Sequence, residues 1–258
     1  MTEKLIQYLR PTSKQEAWAL KEKFGDKAQF LFGGNFQPWL EENAEVLIDL
    51  QDTNLDDIEW TGPGLRFGGL TTLKQLEEAL DVADFREALN IEYGLNVRNS
   101  LSLSNFLSQT NGRSPVLCCL MALGSRIATL NNPEEISLTQ FLLDRVSEDP
   151  AINLFMPEPN LLAFESVGRS PKDLPIVCVS AAKSIDGNIR VAVGGTKKVL
   201  PGFTLQGFDE DGQQQIKSLL SDTDDEWASA EYRQEVGAVM LSRALQKLHL
   251  QAGRQEAK

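Results

Sequence analysis

The order of its apolar runs constrains this chain most. Three strand-like runs, 161–167, 176–184 and 189–193, follow one another, the last two joined by Asp186-Gly187, a dipeptide suited to a tight hairpin turn. Before residue 157, short strands instead alternate with capped helices. Segregation of this kind predicts an α+β fold with a smaller, antiparallel sheet in its second part. Pro157 and Pro159 mark the change and divide the chain into residues 1–156 and 157–258. A chain of 258 residues is long enough to bury a substantial core.

Local signals fill in the first part. Ser13 with Glu16 forms a capping-box pattern, and Ala17, Leu20 and Phe24 recur at helical spacing before Gly25, which predicts a helix over 14–24. Residues 29–32 read as a strand stopped by Gly33-Gly34-Asn35, and 46–50 as the next strand, with a turn and short helix between them. A third strand covers 65–69, and Thr72 with Gln75 opens a second capped helix carrying Leu73, Leu76 and Leu80. Ser114-Pro115 supplies an N-cap and a first-turn proline to an apolar helix through Leu123. Residues 94–113, rich in Asn and Ser, read as a polar loop long enough to be functional. An acidic stretch over 209–226 precedes an amphipathic helix with Val236, Val239, Met240, Leu241, Leu245 and Leu248, and the tail from Gly253 is expected to fray.

Composition removes whole classes of function. Lys and Arg total 25 against 37 Asp and Glu, and the net charge of −12 repels polyphosphates, so no nucleic-acid partner is expected. No apolar run approaches the roughly 20 residues of a membrane span, so no membrane insertion is expected. The opening Met-Thr-Glu-Lys-Leu-Ile lacks the regions of a signal peptide, and Cys118, Cys119 and Cys178 offer no Cys-x-x-Cys pair; the expected location is the cytoplasm. The single histidine, His249, reads as a solvated helix end rather than a catalytic base, and no H-E-x-x-H, G-x-S-x-G or Walker motif occurs. Chemistry is therefore expected from a cofactor or a partner chain.

Two segments are candidate binding sites. In Gly33-Gly34-Asn35, consecutive glycines allow backbone N–H groups to converge on one anion and cradle a pyrophosphate without basic side chains, although a glycine pair also serves as a plain tight turn. Arg98-Asn99-Ser100-Leu101-Ser102-Leu103-Ser104-Asn105 is dense in hydrogen-bonding groups.

Taken in order, these and other segments resemble, over nearly the full length, the flavin-binding medium subunit of molybdenum hydroxylases, the xanthine dehydrogenase and carbon monoxide dehydrogenase family. Phe32-Gly33-Gly34-Asn35 is similar to the first FAD loop of that family, and Leu47-Ile48-Asp49-Leu50 and Leu65-Arg66-Phe67-Gly68-Gly69-Leu70-Thr71-Thr72 to its L-I-D-L and L-x-I-G-A-x-T-T segments. Val97-Arg98-Asn99 resembles the start of the I-R-N-x-x-T-I-G-G-N loop, and Leu120-Met121-Ala122-Leu123-Gly124 the helix after it. Val167-Gly168-Arg169, the run from Ile189 to Gly195, and Glu231-Tyr232-Arg233 with Arg243-Ala244-Leu245 resemble the V-x-R, R-I-A-x-G-G and E-Y-R…R-A-L segments.

The resemblance implies an FAD-binding domain of the PCMH, or vanillyl-alcohol oxidase-like, type over 1–156, followed by a smaller sheet-and-helix domain over 157–258. It implies FAD as the cofactor, with Gly33, Gly34 and Asn35 binding phosphate, Ser102 and Ser104 donating hydrogen bonds from the second loop, and Asn105 replacing a glycine contact. As partners it implies a molybdopterin-binding large subunit and an iron–sulfur small subunit, with this chain relaying electrons from the clusters to an acceptor. The second loop departs from the family: its Gly-Gly-Asn becomes Ser104-Asn105-Phe106, an aspartate at the next helix start becomes Pro115, and a lysine before V-x-R becomes Ser166. Side chains in place of glycines should push the backbone away from a pyrophosphate or demand a positive φ of a non-glycine. These departures favour an alternative, a flavin-free scaffold or interaction subunit derived from the same fold. Trp18, Trp39, Trp60 and Trp227 read as core or interface anchors, Arg66 and Arg98 as phosphate partners or structural ion pairs, and 222–226 as a solvated helix start.

Overall fold

A computed structural model of the chain describes residues 7–32, 44–144, 149–157, 161–171, 173–208 and 212–256. Strand β1 (Gln7–Leu9) and helix α1 (Lys14–Phe24) lead to β2 (Ala28–Leu31), β3 (Val46–Asp49), β4 (Ile58–Trp60) and β5 (Gly64–Gly68). Five helices follow in series: α2 (Leu73–Leu80), α3 (Ala83–Glu92), α4 (Leu95–Ser100), α5 (Leu103–Gln109) and α6 (Pro115–Ala122). Strands β6 (Arg126–Thr129) and β7 (Ile136–Ser137), helix α7 (Leu138–Asp144) and strand β8 (Ala151–Pro157) complete the first part. The remainder runs β9 (Leu161–Val167), β10 (Val177–Lys183), β11 (Ile189–Gly194), β12 (Phe203–Leu205), α8 (Gln213–Leu219) and α9 (Ala230–Glu256). The architecture is α+β.

Three sheets organise these elements. Strands β1, β3 and β2 form a parallel sheet in that order, with Tyr8 opposite Leu47 and Phe30 opposite Ile48. A second sheet, ordered β4-β5-β8-β6-β7, is antiparallel throughout. The third, β12-β11-β10-β9, is the expected antiparallel sheet, and Gly187 at φ +87° makes the turn between β10 and β11.

Strand β10 shows why that last sheet is buried on both faces. Alternate side chains of a strand point to opposite sides. Val177, Val179 and Ala181 join the core that also buries Met240, Leu241, Ala244 and Leu248 of α9. Cys178 and Ala182 face the other way, into the core formed by Leu117, Cys118 and Leu120 of α6 with Phe85, Leu89 and Phe106. Helix α6 thus sits between the helical layer of the first part and the sheet of the second. All three cysteines are free and buried, the ordinary condition of cysteine in an apolar setting.

Several sequence expectations need correction. The polar loop assigned to 94–113 contains α4 and α5: Ser102 caps the second of these through Asn105 N, and Leu103, Phe106 and Leu107 are its buried face. Helix α9 continues past Gly253 to Glu256. Within the acidic stretch, α8 forms, and 222–226 is a tied loop rather than a solvated helix start: Asp224 accepts from Ala230 N, Asp225 from Trp227 N, Ala228 N and buried Arg233, and Glu226 pairs with Lys197. Trp60 is 57% exposed, which removes the core half of its core-or-interface reading, and the guanidinium groups of Arg113 and Arg169 lie over the Trp227 ring at 4.5 and 4.0 Å. Trp39 lies outside the described residues.

Candidate functional site

The candidate site grows from the turn after β5. Gly69 N donates to Ile152 O at 2.7 Å, so the chain leaves β5 still attached to β8. Thr72 then caps α2 in a full capping box, its hydroxyl taking Gln75 N and the Gln75 side chain returning to Thr72 N. Between these points the backbone pairs with the segment joining α4 to α5: Leu73 N donates to Leu101 O, Leu103 N to Thr71 O and Ser104 N to Gly69 O, each at 2.8–2.9 Å. The 65–72 and 97–105 segments, far apart in sequence, thus lie side by side.

Ser102 adds a third segment. Its hydroxyl donates to Phe32 O at 3.1 Å while accepting from Asn105 N at 3.3 Å, and the residue is buried. Phe32 immediately precedes Gly33, so one hydroxyl fastens the start of the glycine loop to the cap of α5. Gly33, Gly34 and Asn35 themselves lie outside the described residues.

The added side chains of the second loop turn inward. Ser104 is buried, and its hydroxyl donates to Ala151 O. The space it fills is left by Gly69, where a Cβ would stand 2.2 Å from Ser104 Oγ. Neither Ser104 nor Asn105 has a positive φ, so helical backbone accommodates both without the strain expected from replacing glycine. Asn105 is buried in the first turn of α5. Both serine protons, expected to serve a ligand, are given to backbone carbonyls. Thr71 Oγ1, at the junction of the segments, is buried and without a hydrogen-bond partner among the described residues.

Neither arginine weighed as a phosphate partner is free. Arg98 Nη1 meets Glu77 Oε2 at 2.9 Å in a buried pair that Lys74 and Arg86 flank, and Arg66 Nη2 meets Glu135 Oε1 at 2.9 Å. Both form structural ion pairs.

Beyond α5 the chain borders a cavity of about 380 Å³, within the range of small-molecule sites. Val97, Leu101, Leu174 and the Tyr93 ring supply its apolar wall, and Glu92, Gln109, Thr110, Asn111 and Ser114 its hydrogen-bonding groups. An apolar wall with hydrogen-bonding groups in the same lining suits a ring with an apolar face and a polar edge. The Tyr93 ring is held edge-on against Phe106 at 6.2 Å. Burial pushes the Glu92 carboxyl up from its ordinary pKa despite hydrogen bonds from Ser114 and Val116. Sequence reasoning passed over Glu92 and Tyr93 because α3, which ends at them, carries no motif. Among the described residues no group of three metal-ligating side chains occurs, and no helix is long and apolar enough to cross a membrane.

Comparison with known proteins agrees with this geometry. Residues 4–151 match the family described as the FAD binding domain in molybdopterin dehydrogenase. The uncharacterized protein YgfM of Escherichia coli K12 is 26% identical over 248 residues, covering 92% of this chain and 93% of its own length. In fold, the chain is similar to one from reconstituted CO dehydrogenase of Oligotropha carboxidovorans, with a TM-score of 0.75 at 18% identity, covering 95% of this chain and 98% of that one. It is also similar to a chain of quinoline 2-oxidoreductase from Pseudomonas putida 86, with a TM-score of 0.71 at 18% identity over 94% and 96% of the two chains. With its match spanning more than half the sequence and reaching the three segments that Ser102 and the Gly69 turn draw together, the chain belongs to the family of the FAD-binding domain of molybdopterin dehydrogenases.

Proposed function

We propose that this chain is an electron-transfer subunit of a molybdenum hydroxylase complex, binding FAD and relaying electrons from iron–sulfur clusters on a small partner subunit to an acceptor. A molybdopterin-binding large subunit would carry the substrate chemistry, in the cytoplasm. The observation that carries the reading is the convergence of three family segments at Ser102, where Phe32 O, the Gly69–Leu73 turn and the cap of α5 are joined. FAD supplies the exchange of electrons; the protein's part is to hold and tune it. Gly33, Gly34 and Asn35 would present backbone donors to the phosphates, with Ser102 and Ser104 fixing the second loop, Asn105 standing where the family has a glycine, and the cavity beyond α5 taking the ring. The division into 1–156 and 157–258 belongs to the same proposal; it falls at the last residue of β8, just before the chain passes from one antiparallel sheet to the other.

A second reading, a flavin-free scaffold, draws support from the two serine hydroxyls, whose protons are committed to Phe32 O and Ala151 O. The visible absorption spectrum of the purified chain, with heat-released flavin measured in the supernatant, separates the two. Near-stoichiometric FAD supports the relay. No flavin after incubation with excess FAD, alone and with candidate iron–sulfur and molybdenum subunits, leaves the scaffold.

A further inference from the structure

Three carboxylates sit inside the helical layer, and one differs from the others. Glu77 is paired with Arg98 and Arg86, and Asp84 with Lys247. Glu92, part-buried at the end of α3, has no cation paired with it among the described residues, and no opposite charge contributes to its titration. Its Oε2 accepts from Ser114 Oγ at 2.6 Å and from Val116 N at 3.3 Å. Capping α6 does not require it, because Ser114 already takes Leu117 N at 3.0 Å. Removing a carboxyl from water without a compensating cation favours its neutral form, and such groups in clefts are concentrated at functional sites. Glu92 also lines the cavity beside Tyr93.

We propose that Glu92 makes ligand binding in this cavity dependent on pH: protonated, its second carboxyl oxygen donates a hydrogen bond to an acceptor on the polar edge of the flavin ring, and ionised it offers no donor. The inference rests on the FAD reading and adds to it a specificity-determining residue. Oε2 is engaged by Ser114 and Val116, and the Tyr93 hydroxyl also hydrogen-bonds the carboxyl, so the proton of the neutral acid belongs on Oε1. The titratable groups that feel Glu92 are Tyr93, next in the chain and hydrogen-bonded to its carboxyl, and Cys178 on β10; burial pushes Tyr93 upward, and the Cys118 hydrogen bond followed by burial pushes Cys178 upward, so both stay neutral where Glu92 titrates. Helix α6 brings to it only the Ser114 hydroxyl and the Val116 amide.

The test titrates the full chain, freed of flavin, with FAD from about pH 5.5 to about pH 8.5, following flavin fluorescence. Wild type should lose affinity as pH rises, by about tenfold for each pH unit above the titration of Glu92 in the free protein. Glu92→Gln, which keeps a donor and cannot ionise, should bind with the acid-limb affinity at every pH. Glu92→Ala should bind weakly throughout while melting as a folded protein. A flat wild-type profile with firm FAD binding overturns this inference and leaves the FAD reading standing, as does a Glu92→Gln variant that keeps the wild-type pH dependence. Failure of wild type to bind FAD at any pH overturns both.

Discussion

The hydroxyl of Ser102 donates to the carbonyl of Phe32 across 3.1 Å, joining the end of the parallel sheet to the cap of α5. Because the same oxygen takes Asn105 N, Ser102→Ala removes a helix cap and leaves a buried carbonyl unpaired. The expected loss is about 2 kcal/mol of stability, from a cap and an unmade hydrogen bond together. Ser102→Thr keeps both bonds and should behave as wild type. Urea denaturation of the two variants measures the difference, and an equal FAD affinity in wild type and Ser102→Ala would show that the link does not position the glycine loop.

Gly69 and Ser104 form a matched pair. A Cβ at position 69 would lie 2.2 Å from Ser104 Oγ and 2.7 Å from Ala151 O, distances that force movement. Gly69→Ala is therefore expected to destabilise by about 1–3 kcal/mol, the usual cost of overpacking. Ser104→Gly in the same chain removes the closer of the two clashes. The double variant should recover part of the loss, and thermal melts of the four proteins in the cycle measure the coupling; strict additivity would contradict the account.

What sequence could and could not reveal follows from where each signal resides. Caps are local, so Ser13, Thr72 and Ser114 announced their helices, and Thr72 and Gln75 form the full box. The runs that became β9, β10 and β11 were legible because two-sided burial leaves apolar stretches broken only by turn residues. Helices α4 and α5 escaped because their buried polar residues are satisfied by remote partners: Arg98 by Glu77, Ser102 by Phe32 and Ser104 by Ala151. Short polar side chains without visible partners read as loop. Family resemblance located the three site segments, but that the serines would face inward depended on the missing side chain of Gly69.

Asp84 ties three elements together near the second core. Its carboxylate accepts from Phe164 N of β9 at 2.9 Å and pairs with Lys247 of α9, while Asp84 itself belongs to α3. Burial alone would lower the Lys247 pKa, but the hydrogen bond and charge of Asp84 reverse that and raise it. A raised lysine contributes stability below its ordinary value near pH ~10.4 and loses it as pH climbs through the folded value. Lys247→Met should cost about 1–3 kcal/mol, less than breaking a fully buried pair because Lys247 keeps 36% exposure. Denaturant melts between about pH 7 and about pH 11 should show wild type converging on the variant at the alkaline end. A constant gap would place the cost in packing instead.

Arg233 is the largest fully buried side chain among the described residues, and its guanidinium organises the loop before α9. It donates to Ile176 O at 3.2 Å, to Ala228 O at 3.0 Å, to Thr223 O and to Asp225 Oδ1 at 2.8 Å. Replacing it by methionine strands three carbonyls and the Asp225 carboxylate, and the expected loss is about 3–5 kcal/mol. Burial acts to raise the Asp225 pKa, but the Arg233 bond and the Trp227 and Ala228 amides outweigh it and hold the carboxyl below its ordinary value. A depressed carboxyl contributes stability above its unfolded value of ~3.9 and loses it as pH falls through the folded one. Wild type should therefore lose stability below about pH 4 more steeply than Asp225→Asn, whose side chain does not titrate there. Acid unfolding followed by circular dichroism compares the two slopes. Parallel curves would mean that Arg233 holds the loop through the carbonyls alone.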